Sequence, residues 1–312
     1  MWLVTGGAGY IGSHVVLKMI EAGFEVVVLD NLSSGLIERI PVGANFIKGD
    51  ICDFDLVSQL LLDNKVEGII NLAALKSVEE SKQIPEEYER INHLGTKILV
   101  DCAIKAGVNI FIQSSTAAVY GKSDSGLVSE TSELNPISPY GESKVLAERE
   151  VERFIGKDGR RGTCLRYFNV LGSESTLLKD NSKANVVPMV LEALAKGAPP
   201  QIFGDDYQTK DGTCIRDYIH VSDIARAHVL AAIKLKQGSL PHAINIGTGK
   251  GYSVREIMSE ILRQLNSKLE PVVVGRRDGD PAMLIAKVEL AELTLGFKYE
   301  RNLKEMLTSI AI

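Results

Sequence analysis

A glycine-rich loop constrains what this chain can fold into more than any other feature. Trp2-Leu3-Val4-Thr5 is a short apolar run, Gly6-Gly7-Ala8-Gly9-Tyr10-Ile11-Gly12 follows directly, and Ile11 to Ala22 is helically periodic up to Gly23. Strand, glycine loop and helix in that order make a βα unit with a tight turn. Gly6 and Gly9 let a pyrophosphate approach the backbone, and Gly12 lets the helix pack closely on the strand. The free N–H groups at the helix start carry a partial positive charge. A second apolar run, Glu25 to Leu29, ends in Asp30, about 20 residues on, where a carboxylate suits the ribose hydroxyls of adenosine. An acid there repels a 2′-phosphate, so NAD is expected rather than NADP.

The same rhythm continues downstream. Asn45–Asp50, Gly68–Leu72 and Ile110–Ser115 read as further strands, apolar on both faces and separated by helical patterns. That pattern predicts an α/β fold with a doubly wound parallel sheet of the Rossmann type. Beyond about residue 170 it loosens, and 181–185 and 204–212 are polar and rich in turn residues. The expected organisation is a dinucleotide-binding domain over 1–170, rejoined by 215–248, and a smaller α/β substrate domain over 171–312. Asp50-Ile51 is compatible with a place beside an adenine, and equally with a plain strand end.

Composition excludes several partners. With 35 basic and 40 acidic side chains the net charge is −5, which gives no reason to expect nucleic acid or an anionic membrane. Cys52, Cys102, Cys164 and Cys214 lie far apart, so neither a disulfide framework nor a metal site is expected. No apolar run approaches the ~18 residues of a membrane span, and no signal peptide is recognisable; a cytoplasmic location is expected.

A catalytic constellation is visible near the middle of the chain. Ser138-Pro139-Tyr140-Gly141-Glu142-Ser143-Lys144 opens with a good N-cap and a good first helical residue, which places Lys144 one turn beyond Tyr140 on the same face. A nearby ammonium and a positive nicotinamide would both favour the phenolate of such a tyrosine. Taken alone, the spacing is equally that of a surface pair. Upstream, Ser114-Ser115-Thr116 puts hydroxyls at the carboxyl end of the fifth strand, beside the cofactor crevice.

Glycine loop, strand-end hydroxyls and Tyr-x-x-x-Lys together resemble the extended short-chain dehydrogenase/reductases. Leu72 to Val78, Arg166-Tyr167-Phe168-Asn169, Asp211-Gly212-Thr213, Arg216 to Val221, Asn245 to Ser253 and Arg276 to Asp280 resemble, more narrowly, the UDP-glucose 4-epimerase family. The resemblance implies NAD-dependent epimerisation of a UDP-hexose, with UDP-glucose and UDP-galactose as substrates and a transient 4-keto sugar. It makes Tyr140 the base, Lys144 its partner, and Thr116, where the family usually has serine, the ligand of the sugar 4-hydroxyl. Cofactor contacts are implied for Gly6, Gly9, Tyr10, Ile11, Gly12, Asp30, Asn31, Asp50, Ile51, Leu72, Ala73, Ala74, Lys76, Asn92, Ser114, Lys144 and Tyr167. Lys76, Thr116, Tyr140, Asn169, Asn185, Val186, Phe203, Arg216, Tyr218, Arg277, Asp280 and Leu284 would form the UDP-sugar site. Homodimers joined through helices near 86–106 and 140–154 are also implied.

Several alternatives stay open. Leu284 falls where the family varies the residue beside the sugar 2-substituent, so a UDP-N-acetylglucosamine 4-epimerase is the nearest rival, with other nucleotide-sugar epimerases behind it. A 4,6-dehydratase would need an acid–base pair where Ala117 and Ala118 stand. A catalytically silent NAD-binding regulator would not need Thr116, Tyr140 and Lys144. His14 and His220 are expected to be structural, and Glu79-Glu80 and Glu86-Glu87 to be solvated helix-face charge.

Overall fold

The structure, a computed structural model, describes all residues except Asp124, Lys157, Asp158, Asn181, Lys183, Ala184, Ala311 and Ile312. Part of the expected 181–185 loop therefore lies outside the described residues. Seven strands form one parallel sheet: β1 (Trp2–Thr5), β2 (Val26–Asp30), β3 (Asn45–Lys48), β4 (Gly68–Asn71), β5 (Ile110–Thr116), β6 (Arg161–Tyr167) and β7 (Ala243–Ile246). Their order is β7-β6-β5-β4-β1-β2-β3, and every pairing is parallel. The first five match the strands read from sequence to within two residues at either end. The order reverses between β4 and β1, and a crevice opens at the carboxyl ends of the strands there.

Both faces of the sheet are covered, as apolar parallel strands require. On one side lie α1 (Tyr10–Glu21) and α5 (Val221–Gln237), closing Val4, Val15, Val28, Ile224 and Leu235 into one core. On the other lie α2 (Phe54–Asp63), α3 (Gly95–Ala106) and α4 (Pro139–Ile155), burying Leu3, Ile69, Leu99, Phe111 and Phe154. A π-helical turn over Glu89–Leu94 runs straight into α3. Among the described residues no helix is long and apolar enough to cross a membrane.

A smaller sheet faces the crevice. It orders Gly251–Ser253, Ile215–His220, Met283–Ala286 and Leu127–Val128, with Asn169–Leu171 pairing alongside Tyr218–His220. Val186–Ala195, Val254–Gln264 and Leu303–Thr308 pack together around Val187, Ile257, Met258 and Met306. The strand Ile215–His220 thus belongs to this sheet, and the return to the large sheet starts at Val221 rather than at 215. Leu127–Val128, from the first half of the chain, is an edge strand of the second sheet.

Candidate active site

The crevice leads into a cavity of about 950 Å³ that reaches from the glycine loop to the smaller sheet. The loop presents bare backbone. Gly6 has φ +69°, and a Cβ on it would lie 2.7 Å from Ala73 N; one on Gly12 would lie 2.0 Å from Gly6 O. No side chain caps the start of α1, so its first N–H groups remain available to an anion in the cavity. Asp30 does more than wait for a ribose. Its Oδ2 accepts from Ala8 N at 3.0 Å and its Oδ1 from Leu32 N at 2.8 Å, which fixes the glycine loop to the end of β2. A carboxylate has about four lone-pair sites, so both oxygens can still accept from hydroxyls.

Asp50 is tied to the same rim, accepting from Asn31 Nδ2 at 3.2 Å and from Cys52 N at 2.9 Å. Burial pushes its carboxyl up, but these bonds and the charge of Arg90 bring it below the ordinary value. A cradle with no room for side chains, an open helix start and a carboxylate at the end of β2 fit a dinucleotide with a free ribose 2′-hydroxyl. Gly9, Tyr10, Ile11, Ile51, Leu72, Ala73, Ala74, Ser114 and Tyr167 line this part of the cavity as well. Lys76 Nζ lies 3.7 Å from Asp180 Oδ1 and 5.9 Å from the centre of the Tyr10 ring.

Asn92 is the exception among the expected cofactor residues, for it does not line the cavity. Its side chain accepts from Leu75 N at 2.8 Å and donates to Leu75 O and Ser143 Oγ, both at 3.0 Å. With its amide committed, Asn92 shapes the loop beneath the cofactor half and pins it to α4.

The proposed chemistry converges at the carboxyl end of β5. Ser138 Oγ accepts from Gly141 N at 3.2 Å and caps α4, while Pro139 opens it. Tyr140 then projects into the cavity, with the Thr116 hydroxyl facing its phenol. The Tyr88 ring stands edge-on to it, centres 6.2 Å apart and planes at 84°. Tyr88 is itself held, donating to Glu80 Oε2 at 2.7 Å and accepting from Ser77 N at 2.9 Å. Glu80 is therefore not simple solvated charge; Glu87, as expected, meets only Arg90 on the surface.

Lys144 is buried and donates from Nζ to Ser114 O at 3.1 Å. Burial brings its ammonium down to about 8, against the opposing charge of Glu148. Burial pushes the Tyr140 phenol above its ordinary value and Thr116 draws it back, while the Lys144 ammonium is directed to the Ser114 carbonyl.

The far end of the cavity presents two guanidinium groups and an aromatic ring. Arg277 stacks 4.0 Å from the centre of the Phe203 ring, and Arg216 meets Asp280 at 3.3 Å. Tyr218 lies beneath, its phenol pushed up to about 12 by burial against the pull of Arg216. Asn169, Asn185, Val186 and Leu284 complete this wall. Ala117 and Ala118 also line the cavity and can move no proton.

Sequence reasoning missed Ser33, Ser34, Arg39 and Asp180. The small polar run after Asp30 was a usable signal for the two serines. Arg39 donates to Leu177 O and Lys179 O, and Asp180 meets Lys76 at 3.7 Å, contacts across distant sequence with no local mark. Glu148, Cys164 and His242 bring three donor atoms within 4.8 Å of one another. Glu148 is already bonded by Arg166 and Ser115, and burial holds the Cys164 thiol neutral, so the cluster offers no free ligand set for a metal.

This arrangement has close relatives. The UDP-glucose 4-epimerase of Halalkalibacterium halodurans is 41% identical over 95% of this chain and 90% of its own. A solved UDP-glucose 4-epimerase from Stenotrophomonas maltophila, with bound NAD and formylated UDP-arabinopyranose, superposes with a TM-score of 0.93 at 36% identity, covering 99% of this chain and 96% of that one. The UDP-Glc/GlcNAc 4-epimerase of Campylobacter jejuni superposes with a TM-score of 0.87 at 37% identity, covering 99% and 97%. Residues 2–247 match the NAD dependent epimerase/dehydratase family, and with the glycine cradle, the Tyr140–Lys144 turn and these relatives in agreement, the chain belongs to that family.

Proposed function

We propose that the protein interconverts UDP-glucose and UDP-galactose by epimerisation at carbon 4, with Tyr140 as the base. The observation that carries this is a shared cavity: the glycine cradle, the Thr116–Tyr140–Lys144 group and the Arg216–Arg277 end line one continuous space. NAD, when bound at the cradle, supplies the reversible oxidant and reductant for carbon 4, so that a transient 4-keto sugar forms with no net redox change.

The chain's own residues do the rest. Arg216 and Arg277 suit a pyrophosphate, and Phe203 beside Arg277 offers an apolar face to a base. Anchoring the nucleotide while leaving the hexose loosely held lets the ring present either face to Tyr140. Thr116 orients the 4-hydroxyl; Tyr140, as the phenolate that the Lys144 ammonium and the positive charge of bound NAD would favour, takes its proton and returns it. Lys144 holds a positive charge beneath that transfer. Ala117 and Ala118 supply no second acid–base pair, which supports epimerisation over dehydration. The homodimer and a cytoplasmic location belong to the same reading, and the free thiols fit a reducing compartment.

Incubating the purified protein with UDP-galactose and resolving the products by chromatography tests the proposal. UDP-glucose should accumulate without net absorbance at 340 nm. Tyr140→Phe should still bind NAD and UDP but lose roughly a hundredfold or more of turnover. Substantial epimerisation by that variant would reject Tyr140 as the base.

A second reading adds UDP-N-acetylglucosamine as a substrate. It is supported by Leu284 in the cavity wall and by the likeness to the Campylobacter jejuni enzyme.

A further inference from the structure

Three consecutive residues of β5 meet three successive turns of α4. Thr116 faces Tyr140, and the Ser114 carbonyl accepts from Lys144 Nζ at 3.1 Å. Between them the Ser115 hydroxyl donates to Glu148 Oε1 at 2.5 Å. Tyr140, Lys144 and Glu148 are spaced four residues apart and share one face of the helix. The first two rungs belong to the reaction proposed above; the third has no part in it. Glu148 does not line the cavity and is 2% exposed.

A carboxylate this deep is costly unless fully paired, and here it is. Arg166 donates from Nε to Oε1 at 2.9 Å and from NH2 to Oε2 at 2.6 Å, a two-pronged contact. Arg166 in turn reaches the Tyr120 hydroxyl at 3.0 Å, which donates to Asn245 Oδ1 at 2.6 Å. Buried pairs of this kind are often replaceable by apolar side chains with no loss of stability. A buried pair is therefore weak evidence for a stabilising role, and this one stands directly behind Lys144.

We propose that Glu148 is a positioning residue of the active site: through Ser115 it fixes the end of β5 against α4, and it sets a carboxylate one helical turn behind Lys144. The inference rests on the reading that Tyr140 and Lys144 serve the reaction. Burial lowers the Lys144 ammonium to about 8, and Glu148 is the foremost group opposing that fall. Among the described residues, the other titratable groups around this corner are Tyr140 and Glu152 on α4, Cys164, Arg166 and Tyr167 on β6, and His242 ahead of β7. Burial holds the Cys164 thiol and the phenols of Tyr140 and Tyr167 in their neutral forms. Arg166 is spent on Glu148. Glu148 is then the foremost fixed negative charge acting on the lysine, joined by the Tyr140 phenolate only when the base is ionised.

The test compares Glu148→Gln, Glu148→Asp and the double variant Glu148→Gln/Arg166→Gln with the parent protein, all with NAD present. Two quantities are followed: kcat for UDP-galactose against pH, and the titration of Lys144 by NMR in lysine-labelled protein. In both Gln variants the alkaline limb of kcat and the lysine titration should move together to lower pH, by about one unit or more in Glu148→Gln and by less in the double variant, which also loses a positive charge. Glu148→Asp, which keeps the charge, should leave both near the parent values. Glu148→Gln alone strands a buried guanidinium; if it fails to fold, the double variant decides. A folded double variant that binds NAD and shows both the limb and the lysine titration unmoved would overturn the proposal. A parent protein with no turnover of UDP-galactose would defeat the functional reading instead, and the lysine titration would still decide the role of Glu148.

Discussion

Leu284 is at once a core residue and part of the cavity wall. In register opposite Arg216, it packs with Ala117, Val119 and Phe168, and its remaining surface borders the cavity. The strand Met283–Ala286 is held there by Asp217, a buried carboxylate that accepts from Ala286 N, Gly249 N and Thr248. A side chain at 284 therefore cannot swing away from whatever lies beside it. Leucine leaves more room than an aromatic ring, so the wild-type protein should turn over UDP-N-acetylglucosamine as well as UDP-galactose. Leu284→Tyr should lower the N-acetyl activity about tenfold more than the hexose activity, a size that pocket discrimination of this kind commonly reaches. Parallel kcat/KM measurements on the two substrates check this; an unchanged ratio would remove Leu284 from the specificity wall.

At the level of elements, α3 and α4 show both what was legible in the sequence and what was not. Ser138, Pro139 and the Tyr140–Lys144 spacing announced α4 because caps and turn-to-turn neighbours are local physics. The first five strands were legible for the same reason, as uninterrupted apolar runs bounded by turns. Contacts that close over long separations left no such mark. Examples are Asn92 on Leu75 and Ser143, Glu148 on Arg166, and Leu127–Val128 pairing with Ile285–Ala286. The dimer helices are the instructive intermediate. Ile98, Leu99 and Cys102 fitted either a bundle between subunits or packing within one, and the structure places Leu99 and Cys102 in the core of their own chain, with Ile98 packed against it. The outer face instead carries Leu94, 42% exposed, and a charge network of Asp101, Glu150 and Arg153. A homodimer through this face should sediment at twice 33.9 kDa, and Leu94→Glu should shift it toward the monomer. A parent protein that stays at 33.9 kDa at micromolar concentration would rule that interface out.

Across the whole molecule, buried His14 and His220 join the large sheet's layer to the substrate side, and His228 ties α5 to β6 within that layer. His14 Nδ1 bonds Tyr10 O at 2.8 Å and its Nε2 accepts from Glu174 N at 3.2 Å; the Tyr10 hydroxyl donates to Gly172 O at 2.6 Å. His220 accepts from Ser222 N and meets Ser309 Oγ at 2.9 Å, fixing Leu303–Thr308 to the rest. His228 spans Ile224 O and the Tyr167 hydroxyl, behind the cofactor half. Burial drives His220 down to about 3 and His228 to about 4, and it lowers His14 as well. His220 and His228 stay neutral when folded while their unfolded counterparts, near 6.5, take up a proton as the solution is acidified. The unfolded chain then binds more protons than the folded one, so stability present above about pH 6.5 is lost as pH falls toward 3 or 4. His220 and His228 should each contribute up to about 2 kcal/mol of that loss between about pH 7 and pH 5. Urea unfolding at the two pH values should show the midpoint falling in acid, and His228→Gln should flatten the fall even if it lowers stability at neutral pH. A midpoint that holds steady down to about pH 5 would mean that these histidines already carry protons in the folded protein. In that case the joint between the two layers would be ionic rather than a set of neutral hydrogen bonds.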